Sequence, residues 1–139
     1  MTDPAVWAVV PAAGLTHAMS GVGEAFLDGV PMLVLSGGVR TDLDFGFQLH
    51  DLDQQALMRP LTKAAYRIDS YDEAVETVYR AWRTAIGGEP GPVFVEVPAN
   101  LQLLAADVAE APGFEAATER PALDPAAIAA AADLLAGAE

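Results

Sequence analysis

Two histidines are the side chains best suited to acid–base chemistry in this sequence. His50 lies in a loop beside Asp51 and Asp53, and because a histidine titrates near neutral pH it could shuttle protons there. The other interpretation is an exposed loop histidine beside two carboxylates, and residue type alone leaves both open. We expect the second histidine, His17, to lie at the start of a helix rather than to act as a base.

Metal, thiol and phosphate chemistry find little support in the sequence. The chain contains no cysteine, which excludes disulfides, thiolate ligands and cysteine nucleophiles. Its aspartates and glutamates are scattered, so no metal site is predicted. No glycine-rich phosphate-binding loop precedes Lys63, and we expect this lysine to be solvated or ion-paired.

The charge balance limits the partners. The chain has 20 acidic and 7 basic residues and a formal net charge of −13, which would repel a nucleic acid backbone and an anionic membrane surface. Its apolar runs are shorter than a bilayer span requires, and no basic region precedes the first of them. We therefore expect a soluble, cytoplasmic protein that binds neither nucleic acid nor membrane.

The elements that would position the candidate side chains alternate between strands and helices. Short apolar runs predict buried strands at 6–10, 32–35 and 93–97. Helical spacing predicts one helix over 16–27, and a capping box, Ser70 to Glu73, predicts the start of another. The residues expected to be buried on these two helices are Ala18, Met19, Val22, Ala25, Phe26, Val75, Val78, Trp82, Ala85 and Ile86.

This order of elements predicts an α/β fold, a parallel sheet with helices on both faces. A further short strand is expected within 63–68. From 105 to 123 the composition changes to Ala, Glu, Pro and Gly, which predicts a linker and ends the sheet domain at 1–104. Asp124 and Pro125 then start an alanine-rich helix over 124–139, which we interpret as the first helix of a second, truncated domain.

Three segments stand in a definite order: PAAGLTHAMSGVGEAFLDGVPMLVLSG, DQQALMRPLTK and EPGPVFVEVPANLQ. Each is a weak signal alone, but their joint order and spacing, over residues 6–102, resemble the pyrimidine-binding (PYR) domain of thiamine diphosphate enzymes of the acetolactate synthase-like family. The resemblance implies the thiamine diphosphate-binding PYR-type fold, incomplete here. It also implies that the linker and final helix lead into a central domain, which carries FAD in some members.

The resemblance implies a cofactor-binding loop after the first strand. In the family this loop reads Gly-Pro-Gly before Thr-Asn and packs against the aminopyrimidine ring of thiamine diphosphate. Here Ala12, Ala13 and Gly14 occupy the three positions, and Thr16 and His17 follow. Replacement of a glycine by alanine would obstruct or adjust the approach of the ring. The alternative is an ordinary strand-to-helix connection in which Thr16 caps the helix.

The resemblance also implies an active-site loop within 41–53. The family has an aromatic residue and a glutamine there, both facing the active site. Direct matching places this pair at Phe47 and Gln48, whereas counting back from Arg59 places it at Leu49 and His50. Gln48 and His50 are therefore the candidate catalytic residues, and Phe47 and Leu49 are the candidates for the substrate pocket.

Two parts of the family's active site do not match any segment of the sequence. The glutamate that activates the cofactor precedes the Gly-Pro-Gly loop in the family by more residues than precede it here, and the Mg²⁺ and diphosphate are held by a separate C-terminal domain. We therefore expect a truncated part of an acetolactate synthase-like lyase or carboligase that acts on 2-ketoacids in branched-chain amino acid biosynthesis and is inactive by itself.

Two alternatives to this function stay open. One is a non-catalytic protein-interaction module or gene relic, and the other is part of a 2-ketoacid decarboxylase or a 2-hydroxyacyl-CoA lyase. The expected partner is a second copy of the chain or the complementary domain of a split enzyme.

Overall fold

The computed structural model describes residues 6–10, 14–44, 47–108, 113–114 and 122–138. The described strands are β1 (Val6–Val10), β2 (Met32–Gly38), β3 (Ala64–Arg67) and β4 (Val93–Pro98). The described α-helices are α1 (Leu15–Leu27), α2 (Gln54–Met58), α3 (Tyr71–Ile86), α4 (Ala99–Leu103) and α5 (Pro125–Ala136). A short 3₁₀ turn, Arg59–Leu61, directly follows α2.

The described strands form one parallel sheet in the order β1-β2-β4-β3. The chain crosses the sheet in one direction from β1 through β2 to β3 and then returns to β4. Because crossovers between parallel strands are right-handed, the outward connections place α1 and α2 on one face, and the return connection places α3 on the other. The predicted parallel α/β sheet with helices on both faces is confirmed.

Alternate residues of the two central strands supply two apolar clusters, one on each face of the sheet. The cluster on the α1 and α2 face comprises Leu15, Val22, Val34, Met58 and Phe94. The cluster on the α3 face comprises Leu33, Ile68, Ala81, Ala85, Val93 and Val95. Since each fully buried Val, Leu or Phe contributes about 1.5–3 kcal/mol, these clusters hold the carboxyl ends of β2 and β4 in fixed register.

The buried face of α3 differs from the one that the sequence predicts. Its fully buried residues are Thr77, Ala81 and Ala85, whereas Val78 and Trp82, predicted to be buried, are only half-buried. Residues four apart share a helix face, and these small side chains allow the helix backbone to approach the sheet closely. The larger apolar side chains therefore lie on either side of the contact line. The predicted capping box of Ser70 and Glu73 is present.

The start of α1 corrects a second prediction. Gly14 occupies the N-cap position, and no side chain caps the helix, so the expectation that Thr16 caps it is wrong. Thr16 lies two residues too late for that role, because the helix already begins at Leu15. At the other end Phe26, predicted to be buried, is 41% exposed. Gly29, in the predicted turn, has a φ of 63°, which glycine adopts without the steric cost of a side chain.

Lys63 is neither simply solvated nor ion-paired. Its Nζ donates to the main-chain oxygens of Thr84, at 2.5 Å, and Gly87, at 2.6 Å. These carbonyls belong to the last turn of α3, where a helix leaves acceptors unsatisfied and favours a positive charge. Lys63 therefore caps α3 and joins it to the start of β3, the short strand expected within 63–68.

Three features follow β4 in the described part of the chain. Helix α4 follows β4 directly and was not predicted, because its five residues are too few to show a helical period. Within the predicted linker, the ring of Phe114 packs on Tyr79 of α3, with centroids 4.9 Å apart. The final helix is capped by Asp124 as predicted and has no buried residue. Among the described helices, none is both long and apolar enough to cross a membrane.

Candidate functional site

A cavity of about 570 Å³ opens at the carboxyl edge of the sheet. In open parallel sheets ligands bind outside the carboxyl ends of the strands, and cavities of this size hold small-molecule ligands. The cavity is lined by the ends of β1, β2 and β4 and by the first turns after β4. The lining residues are Val9, Val10, Leu35, Ser36, Gly37, Gly38, Val97, Ala99 and Gln102.

Two consecutive glycines end β2 within this cavity. A Cβ atom added at Gly38 would lie 2.5 Å from Oε1 of Glu96, so a side chain at this position displaces the glutamate. Oε2 of Glu96 accepts a hydrogen bond from Nε2 of Gln55 at 3.0 Å, and the same amide donates to the main-chain oxygen of Tyr66 at 3.1 Å. The Glu96 carboxylate therefore stays against the Gly38 backbone and joins α2 to three strands.

The neighbouring amide of α2 also holds the end of β2. Nε2 of Gln54 donates to the main-chain oxygen of Gly37 at 2.8 Å, and the residue is only 2% exposed. Its Oε1 atom is buried and accepts no hydrogen bond from the described residues. A buried acceptor without a donor costs about 1–3 kcal/mol, so the hydrogen bond from Nε2 to Gly37 is made at some expense to the Oε1 atom of the same amide.

The 39–53 loop, which joins β2 to α2, lies at the same edge. Gln48 holds it from within, since its Oε1 accepts from the Arg40 nitrogen at 3.1 Å and its Nε2 donates to the Arg40 oxygen at 2.8 Å. Arg40 also forms two hydrogen bonds with Asp42, at 2.9 and 2.6 Å. Donation by Arg40 lowers the pKa of the Asp42 carboxyl below its ordinary value. These hydrogen bonds hold the described residues Arg40, Asp42 and Gln48 of the loop together.

None of the described site residues predicted from the sequence lines the cavity. Ala12 and Ala13 lie outside the described residues. Gly14 is half-buried, and Thr16 and His17 are exposed in the first turn of α1. These assignments to cofactor binding remain predictions.

The candidate residues of the 39–53 loop divide into two kinds. Phe47 and Leu49 are 80% and 74% exposed, and His50, also exposed, has a φ of 66°, a conformation uncommon outside glycine. Gln48 is half-buried, and both of its amide atoms are occupied by Arg40. The loop thus presents His50, Phe47 and Leu49 outward and uses Gln48 for its own conformation.

Sequence reasoning missed the residues that line the cavity. Ser36, Gly37 and Gly38 extend β2 three residues beyond its predicted end, and the signal was a glycine pair directly after a buried apolar run. No group of three or more His, Cys, Asp or Glu side chains suited to a metal ion occurs in the described part of the chain.

Comparison with known proteins identifies the sequence class. Residues 1–57 match the family described as thiamine pyrophosphate enzyme, N-terminal TPP binding domain. The chain is similar to 2-hydroxyacyl-CoA lyase 2 of Caenorhabditis elegans, with 38% identity over 96 residues, which cover 69% of this chain and 15% of the relative.

Two relatives from Escherichia coli (strain K12) extend the comparison. The acetolactate synthase isozyme 3 large subunit is 31% identical over 88 residues, which are 63% of this chain and 15% of the relative. The acetolactate synthase isozyme 1 large subunit is 25% identical over 132 residues, which are 95% of this chain and 24% of the relative. The chain thus spans less than a quarter of the length of these relatives.

Proposed function

Because the chain belongs to the thiamine diphosphate-dependent enzymes, we propose that it supplies the pyrimidine-binding part of an acetolactate synthase-like lyase or carboligase acting on 2-ketoacids. The observation that carries the proposal is the cavity at the carboxyl edge of β1, β2 and β4. When bound, thiamine diphosphate supplies a nucleophilic carbon and an electron sink for such reactions. The chain's own contribution is to bind and orient the cofactor's pyrimidine ring.

The residues of the cavity suit a flat heteroaromatic ring. Val10, Leu35 and Val97 offer apolar contacts to its faces, and Gly37 and Gly38 carry no side chain that would hold the ring away from the backbone. The main-chain groups at the end of β2 can form hydrogen bonds with the polar edge of the ring. This fit supports the pyrimidine part of the cofactor as the ligand.

The residues that suit the pyrimidine ring do not suit the diphosphate. The described residues that line the cavity include no lysine or arginine, and the described part of the chain offers no cluster suited to Mg²⁺. This ion prefers octahedral coordination by carboxylates together with phosphate oxygens. We propose that a complementary domain supplies the Mg²⁺-diphosphate site and that the chain is inactive without it. A second copy of the chain is the other partner proposed. FAD, if the enzyme needs it, would bind to the other domains that complete the enzyme.

In this proposal His50 is the residue of the 39–53 loop that meets the cofactor or the substrate. Its ring is exposed, and imidazole is a side chain that can act as an acid or a base. Gln48 supports this role indirectly, because its amide is engaged with the Arg40 backbone. Phe47 and Leu49, exposed on either side of Gln48, would form the apolar side of the substrate pocket.

A second candidate function is the cleavage of 2-hydroxyacyl-CoA substrates on the same cofactor. It is favoured by the 38% identity to 2-hydroxyacyl-CoA lyase 2, compared with 31% to the acetolactate synthase isozyme 3 large subunit. The two candidate functions use the same pyrimidine cavity and differ in the substrate. A chain complemented with a Mg²⁺-diphosphate domain would consume pyruvate under the first proposal and cleave a 2-hydroxyacyl-CoA under the second.

The test of the pyrimidine-binding proposal is calorimetric titration of the purified chain with thiamine diphosphate. We expect binding that is unaffected by Mg²⁺ and that the aminopyrimidine half of the cofactor alone displaces. Gly37→Val should weaken it at least about tenfold, because the added side chain occupies the ring's space. Gly21→Ala is the control, since no atom lies within 4 Å of the added methyl group. An absence of binding, or binding that requires Mg²⁺, would overturn the proposal.

A further inference from the structure

The 39–53 loop is attached to the carboxyl edge of the sheet by uncharged amide side chains. At its end, Gln54 and Gln55 of α2 donate to the main-chain oxygens of Gly37 and Tyr66. At its start, the main-chain nitrogen and Oγ1 of Thr41 both donate to Oδ1 of Asn100, at 3.0 and 3.3 Å. The second attachment joins segments 59 residues apart in sequence.

Asn100 is itself held firmly in place. It lies in the first turn of α4 and is 9% exposed. Its main-chain oxygen accepts hydrogen bonds from the Tyr71 hydroxyl at 3.3 Å and from the Leu104 nitrogen at 3.1 Å. The Tyr71 hydroxyl also donates to the Leu104 oxygen at 2.6 Å. The first turns of α3 and α4 therefore determine where Oδ1 of Asn100 lies.

We propose that Asn100 is a positioning residue, which fixes the 39–53 loop and so determines where Phe47, Leu49 and His50 are presented at the cavity edge. This inference rests on the proposed function, in which those side chains meet the cofactor or substrate. The loop needs this anchor because its own contacts, between Gln48 and Arg40, shape it without attaching it to β4 or α4. A loop shaped but unattached would order its side chains only upon ligand binding, at an entropic cost.

Within the described part of the chain, the Asn100 side chain forms hydrogen bonds through its acceptor atom, Oδ1, alone. Aspartate has the same shape and offers the same acceptor, so Asn100→Asp should keep the anchor. Leucine has a similar volume without an acceptor, so Asn100→Leu should release Thr41 while the buried position stays filled. These two substitutions form a matched pair that separates hydrogen bonding from packing.

The experiment is amide hydrogen exchange, measured by NMR on the full 139-residue chain. In Asn100→Leu the Thr41 amide should exchange about tenfold faster, the effect of losing one net hydrogen bond, while the buried Val34 amide is unchanged. Asn100→Asp should match the wild type. Equal exchange at Thr41 in wild type and Asn100→Leu, or loss of protection in Asn100→Asp, would refute the anchor. If Asn100→Leu does not fold, Asn100→Ala removes the same acceptor and must show the same difference.

A calorimetric titration with thiamine diphosphate completes the test. We expect Asn100→Leu to bind more weakly, by about tenfold, and Asn100→Asp to bind like the wild type. If the wild type binds the cofactor and Asn100→Leu binds it equally well, the positioning role fails and the proposed function stands. If no variant binds while the exchange pattern holds, the proposed function fails and the anchor alone stands, because exchange requires no cofactor.

Discussion

The contact between Gly38 and Glu96 gives a quantitative test of how the cavity wall is built. A Cβ at Gly38 would lie 2.5 Å from Oε1, 3.0 Å from Cγ and 3.1 Å from Cδ of Glu96. Carbon and oxygen atoms do not approach so closely, so in Gly38→Ala the carboxylate must move. Its hydrogen bond from Gln55, at 3.0 Å, is then lost. The added methyl group also reshapes the cavity at the end of β2.

The magnitude follows from two opposing effects. A hydrogen bond to a charged group contributes about 1.5–3 kcal/mol when well shielded, and the half-buried Glu96 retains only part of that because water compensates. Replacing glycine by alanine restricts the unfolded chain, which stabilises the fold by about 0.4–1 kcal/mol. We therefore expect Gly38→Ala to lower the free energy of unfolding by about 1 kcal/mol.

The assay is urea unfolding of the single and double variants, with the midpoint compared at constant slope. In a Glu96→Ala background nothing obstructs the methyl group, so Gly38→Ala should be neutral or stabilising by up to about 1 kcal/mol. The coupling free energy between the two sites should be about 1–2 kcal/mol. Gly21→Ala, in the exposed part of α1 where no atom lies within 4 Å, should stabilise. If Gly38→Ala lowers the free energy of unfolding equally in the wild type and in Glu96→Ala, the predicted clash between the methyl group and Glu96 does not occur.

Two further outcomes are expected. Lys63→Met should lower the free energy of unfolding by about 1–2 kcal/mol, since it leaves the Thr84 and Gly87 carbonyls without their donor. The control is Arg59→Met, at an exposed position, which should change the free energy of urea unfolding by no more than about 0.5 kcal/mol. An equal effect of the two substitutions would contradict the capping role of Lys63. The lowered pKa of Asp42 means that its ion pair with Arg40 stabilises the loop at neutral pH and is lost as pH falls through the folded-state pKa. An NMR titration should show the Asp42 midpoint rising in Arg40→Gln, and an unchanged midpoint would count against the pairing.

The strands and the main helices could be predicted because each carries a local signal. The apolar runs at β1, β2 and β4 needed no partner to be recognised, and the capping box of Ser70 and Glu73 is a spacing of three residues. Local periodicity was less reliable for the buried face of α3. There the tertiary contact selects the small residues Thr77, Ala81 and Ala85, although the larger apolar side chains beside them give the stronger hydrophobic pattern.

The cavity and the loop anchor depend on contacts that no local pattern contains. Thr41 meets Asn100 across 59 residues and Gln55 meets Glu96 across 41, so their pairing follows only from the strand order β1-β2-β4-β3. That order brings the ends of β2 and β4 together and places the 39–53 loop over them. The register ambiguity of the loop is of the same kind: spacing leaves both Gln48 and His50 as candidates, and both remain predictions, although the Gln48 amide is engaged with the Arg40 backbone.

The polar groups at the carboxyl edge explain how the pyrimidine half of the proposed cofactor site can be formed before the cofactor binds. Gln48, Gln54, Gln55 and Asn100 orient the loop and the end of β2 through amide hydrogen bonds, which do not change with pH and do not require a bound ion. A pyrimidine ring needs a fixed, dry and mostly apolar surface, which such a framework provides. A diphosphate with Mg²⁺ needs charge and oxygen ligands, which the described residues do not bring together. The two halves of the cofactor thus make opposite demands, and in the proposed function this chain meets those of the pyrimidine.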